Sequence, residues 1–107
     1  MIDVMIAQAL LKQDAPDYQR ALDRLARAEK LSPSDPDVYF LRGKICLALG
    51  GYQDAVQALR RAIALAPMAD LSYYQLGLAY QRLGQTALAR EQFDRMTYLR
   101  SIRETGR

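Results

Sequence analysis

Histidine, the side chain whose proton exchanges most readily near neutral pH, is absent from these 107 residues. Its absence removes imidazole general-base catalysis and most zinc sites together. The one thiol is Cys46, a turn after Arg42-Gly43 on a helix face that packs inward. A nucleophilic cysteine needs a neighbouring base and a polar pocket, and neither is visible, so Cys46 reads as packing. With one cysteine no intramolecular disulfide is available, and redox chemistry does not fix the compartment. The carboxylates are scattered singly, and Asp17, Asp35 and Asp70 stand where helix caps are expected. Gly50-Gly51 separates two helical patterns and lacks the lysine-serine pair of a phosphate loop. The expectation is a non-catalytic protein with no cofactor and no metal.

The arginines are the remaining candidates for chemistry. Arg27, Arg61 and Arg95 recur every 34 residues, joined by Arg20, Arg24, Arg60, Arg100 and Arg103. A ridge of this kind could follow phosphates. Asp23, Glu29, Asp54, Glu91 and Asp94 are interleaved with it, which weakens the field and favours a solvated convex face over nucleic-acid binding. The net charge of +3 is a mild excess that weakly favours acidic partners.

Half the residues are apolar and a quarter charged, the composition of a soluble globular domain. No apolar run reaches the roughly 20 residues that span a bilayer, and no basic segment leads into an apolar core at the N-terminus. A cytoplasmic location is the default expectation. Capping and breaker residues divide the chain into six helices. These run from about Ile2 to Gln13, Asp17 to Leu31, Pro36 to Leu49, Tyr52 to Leu65, Asp70 to Gly84, and Thr86 to beyond Leu99. Asp35 caps the third with Pro36 at its first position, and Gly50-Gly51 permits a left-handed exit. The helices form three pairs, each with a first (A) and second (B) member.

The pairs repeat. Sliding the chain by 34 residues aligns Ala21, Ala55 and Ala89, then Leu25, Leu59 and Phe93, then Leu31, Leu65 and Leu99. Met5, Tyr39 and Tyr73 also align, as do Ala9, Gly43 and Gly77. Small residues at Gly43, Gly77, Ala55 and Ala89 let helices approach, and larger neighbours fill the layers between. A fixed period of this length marks a stacked array in which no pair buries its apolar face alone. The pattern resembles the tetratricopeptide repeat, most closely in Tyr39, Gly43, Gly50, Tyr52, Ala55, Leu59, Ala62 and Pro67. The third copy substitutes Thr86 and Ser101 for the turn tyrosine and closing proline, and the first places Gln8 and Lys12 where large apolar residues are usual. The resemblance implies an all-α solenoid over residues 1–107, a right-handed superhelical stack of three repeats at about 2–35, 36–69 and 70–103.

It also implies that the A helices line a concave surface. Residues off their packing stripe are Ile6, Ala7 and Leu10 in the first, with Asp3 and Gln13 at its ends, Phe40, Leu41, Lys44, Leu47 and Ala48 in the second, and Leu71, Tyr74, Gln75, Leu78 and Arg82 in the third. Helices apolar on nearly all sides are normally covered, so this groove is expected to bind an apolar peptide or amphipathic helix of another protein. Lys44 and Arg82 could orient an acidic group at its rim. The family's two-carboxylate clamp for acidic chaperone tails is not expected, because its positions fall on Ile6, Leu10, Leu41, Leu71 and Gln75. A second expectation is self-association through an uncovered last helix at Tyr98, Leu99 and Ile102.

Overall fold

A computed structural model describes residues 2–106. Its six helices are α1 (Ile2–Leu11), α2 (Tyr18–Leu31), α3 (Pro36–Leu49), α4 (Tyr52–Leu65), α5 (Asp70–Arg82) and α6 (Thr86–Thr105), with no strand among the described residues. Each odd-numbered helix packs on the helix that follows it, and α2 on α3 and α4 on α5 join the pairs into a stack. The local signals act as their chemistry requires. Asp17 accepts from the Arg20 amide, and Asp35 accepts from the Asp37 amide with Pro36 opening the helix. Gly50 closes α3 at φ 86°, where a side chain would strain the backbone. The 34-residue period also appears as a repeated bond. The Tyr39 hydroxyl donates to the Pro33 carbonyl, the Tyr73 hydroxyl to that of Pro67, each at 2.8 Å.

Two contiguous cores follow. One joins Val4, Ala7, Leu10, Leu25, Val38, Leu41 and Ile45 across α1, α2 and α3. The other joins Val56, Leu59, Leu76, Ala79 and Tyr80 across α4 and α5, with Ala89 of α6. Phe40 packs against both.

Three expectations are corrected. First, α1 leaves the 34-residue register. Met5 is 64 % exposed and Ala9 is exposed, while Asp3, Val4, Ala7 and Leu10 are buried. An offset of 35 pairs Asp3, Val4 and Leu10 with the buried Val38, Tyr39 and Ile45. One residue is about 100° of helix rotation, and in this setting Gln8, Ala9 and Lys12 are exposed. The rotation is possible because α1 ends at Leu11, and residues 12–17 replace the two-residue turn that locks α3 to α4.

Second, Asp70 is not a cap. It lies inside the first turn of α5 with Ala69 at the cap position, and its carboxylate pairs with Arg100 at 2.8 Å and Arg103 at 3.3 Å. Third, Leu99 is not uncovered. It is buried, whereas Tyr98 and Ile102 remain exposed. The open face of α6 is polar where α4 is apolar. Tyr52, Val56 and Ile63 of α4 are wholly or partly buried, and their counterparts Thr86, Arg90 and Thr97 stand in water. α6 therefore presents polar, solvated side chains at the positions with which α4 receives α5.

Candidate functional site

The A helices carry a surface that the cores do not consume. On α3, Lys44 is exposed and Phe40 and Leu47 are half-buried. On α5, Leu71 is 51 % and Tyr74 38 % exposed, Gln75 and Leu78 are half-buried, and Arg82 is exposed. The spacing 71, 74, 78, 82 keeps that set on one helical stripe. Between α3 and α5, Phe40, Leu71, Pro36, Ala66 and Ala69 line a notch of about 150 Å³, with Asp37 and Ser72 at its edge. The Tyr74 and Phe93 rings meet at 6.0 Å, tilted by 49°, and Lys44 Nζ lies 5.9 Å from the Phe40 ring centroid.

Ala7, Leu10 and Leu41, expected in this groove, are core residues instead, and Asp3, expected at its end, is buried. The rotation of α1 explains Leu10, and Leu41 is taken up by the α1–α3 contact. Ile6 is half-buried and packs against the first core. The offset of 35 brings Ile2 and Met5 into register with Asp37 and Phe40, and they are 69 % and 64 % exposed. Sequence reasoning missed both. Met5 satisfies the 34-residue period beside Tyr39 and Tyr73 as a letter, and only the folded position of α1 exposes it.

Several arginines engage neighbouring helices, whereas Arg20, Arg60 and Arg95 are exposed. Arg24 reaches the buried Asp3 carboxylate at 3.3 Å and Arg27 at 4.0 Å. Arg42 bonds Glu29 at 2.7 Å, and Arg42 and Arg61 each lie 5.6 Å from the Tyr39 ring centroid. These contacts tie neighbouring helices together. Cys46 is half-buried. Burial pushes its thiol above the ordinary cysteine range, the Asp54 carboxylate adds to this, and Arg42 opposes it. That is the reverse of the activation a nucleophile needs.

Among family models, one described as "Anaphase-promoting complex, cyclosome, subunit 3" matches residues 3–62, more than half of the chain. Models described as "TPR repeat" and "Tetratricopeptide repeat" match residues 43–84 and 71–101. The chain belongs to the tetratricopeptide-repeat family. Among solved structures, MamA superposes with a TM-score of 0.86 at 24 % identity, covering 95 % of this chain and 58 % of MamA. The chain thus spans little more than half the length of that protein. The second TPR of Spaghetti (RPAP3), bound to the HSP90 peptide SRMEEVD, gives 0.86 at 19 % identity over 92 % of this chain and 89 % of that one. Its first TPR, bound to the same peptide, gives 0.86 at 20 % identity over 92 % and 76 %. These likenesses establish the tetratricopeptide-repeat solenoid. No described helix is long and apolar enough to cross a membrane.

Proposed function

We propose that this tetratricopeptide-repeat protein is a protein–protein interaction module that holds an apolar segment of its partner, in helical form, across the A helices. The observation that carries this is the accessible apolar stripe of α5, Leu71, Tyr74 and Leu78, continued by Phe40 and Leu47 on α3 and by Ile2 and Met5 on α1. Such a surface is costly to leave in water, and burying each large side chain fully contributes roughly 1.5–3 kcal/mol. Ordering the peptide and losing its translational freedom consume much of that, so micromolar affinity is expected. The solved RPAP3 complexes support the mode, since this fold there carries a peptide. That peptide is acidic, however, and the apolar residues here suit a different one. Tyr74 and Leu71 are the anchors, being large and exposed. A peptide-library screen with the unmodified protein and Leu71→Asp tests the reading. Retention of the same peptides by both proteins overturns it.

A further inference from the structure

The groove has a direction. Its A helices share one orientation, each antiparallel to the helix that follows. Lys44 lies seven residues beyond Asp37 on α3, about 10 Å along the axis, and Arg82 ends α5 eleven residues beyond Leu71, about 16 Å away. Lys12 follows the last residue of α1. All three cations are exposed, and none is in an ion pair among the described residues. Toward the opposite edge stand the exposed Asp37 and Leu71, with the Phe40 ring between Asp37 and Lys44. The positive edge also coincides with the C-terminal ends of the A helices, which carry partial negative charge.

Resting on the reading above, we propose that the groove selects an amphipathic partner helix by its polarity: one that runs antiparallel to α3, with acidic residues in its first turn and basic residues in its last. Both fields favour that direction. The first turn of the partner brings a positive dipole end to the carbonyl ends of α3 and α5, and its carboxylates reach Lys44, Arg82 and Lys12. Its last turn brings basic side chains to Asp37. A partner helix of about 14 residues matches α3 in length. In the parallel direction, like charges meet at both edges.

Two synthetic helices test this against the full chain by fluorescence anisotropy. They share one apolar stripe of leucine and phenylalanine and one composition. The first carries glutamates in its opening turn and lysines in its closing turn, and the second reverses them. The first is expected to bind about three- to tenfold more tightly at low salt, the range two or three exposed ion pairs produce. The preference should collapse in molar salt and in Lys44→Glu/Arg82→Glu. A nitroxide on the first residue of the tighter peptide should broaden the amide signals of Ala48 and Leu78 and spare those of Asp37 and Leu71. Equal affinities, or broadening at Asp37 and Leu71, overturn the polarity and leave the apolar groove standing. Failure of both peptides to bind overturns the groove and the polarity together. So does a concentration-dependent dimer that neither peptide dissociates, which makes a second copy the occupant.

Discussion

The ring of Phe93 sits directly against the backbone of Gly77: a methyl group added at residue 77 would stand 2.5 Å from Cε1 and 2.8 Å from Cδ1 and Cζ. One repeat earlier the same relation joins Gly43 to Leu59, with the added methyl 2.5 Å from Cγ and 2.7 Å from Cδ2. The two sites differ in what can yield. Leu59 is fully buried, whereas Phe93 is half-buried and can swing outward. Replacing a mid-helix glycine by alanine gains about 1 kcal/mol of propensity, against about 1–3 kcal/mol for overpacking. Gly43→Ala should therefore destabilise by up to about 2 kcal/mol in denaturant melts, and Gly77→Ala by less. In a Leu59→Ala background the penalty at residue 43 should vanish. A stabilising Gly43→Ala would show that the α3–α4 distance is not set by this contact.

Asp70 links the first turn of α5 to the end of α6 through Arg100 and Arg103. The hydrogen bond from Arg100 comes first among the causes that hold its carboxyl below the usual aspartate range, and the bond and charge of Arg103 act with it against desolvation. A carboxyl with a depressed folded pKa contributes its stability above the unfolded value, about 3.9, and loses it as pH falls through the folded value. Asp70→Asn should lower the melting temperature at neutral pH. The gap between the two proteins should close as the pH drops below that of an ordinary aspartate. A gap that persists unchanged at pH 2 would assign the loss to packing.

The repeat was legible because its signals are local. Asp17, Asp35, Pro36 and Gly50 mark helix ends through their own backbones, and five of the six helices begin and end within a residue or two of where those signals place them. What was not legible depends on partners distant in sequence. Asp70 opens a helix whether it caps or not, and only Arg100, thirty residues on, decides that it is an ion-pair partner. Met5 and Ala9 satisfy the 34-residue period as letters. The long connection after Leu11 frees α1 to turn, so burial of Val4, Ala7 and Leu10 overrules the period. Leu41 and Leu99 look like groove and edge residues on a helical wheel. Contacts with neighbouring helices bury them.

The polar outer face of α6 has its own test. Arg90→Val and Thr97→Ile together restore at two positions the stripe with which α4 receives α5. The Thr97 hydroxyl bonds its own helix at the Phe93 carbonyl, so its loss leaves no buried donor unpaired. The double variant should fold and associate with concentration, seen as rising mass in sedimentation, because an exposed apolar helix face of this width seeks cover. A monomer at high concentration would show that these two side chains are not what keeps this face of α6 from associating.

The groove anchors separate binding from stability. Phe40 faces the groove and also packs against both cores. Phe40→Asp should therefore destabilise by about 2 kcal/mol or more, because it places a charge in a half-buried apolar site. Tyr74→Asp loses the ring contact with Phe93, an interaction of about 0.5–1.5 kcal/mol. Leu71 is half in water, and Leu71→Asp should leave the melting temperature within a degree or two. In the presence of an apolar helical peptide the order is expected to change. Leu71→Asp should weaken binding at least tenfold, since burial of a leucine of this size is worth roughly 1.5–3 kcal/mol, while raising salt changes the affinity of the unmodified protein only modestly. Melting curves and titrations on the same samples separate the two effects. Should Leu71→Asp retain the peptide while remaining folded, the contact lies elsewhere, and the α4–α6 cleft lined by Tyr73, Tyr80 and Leu88 becomes the surface to map.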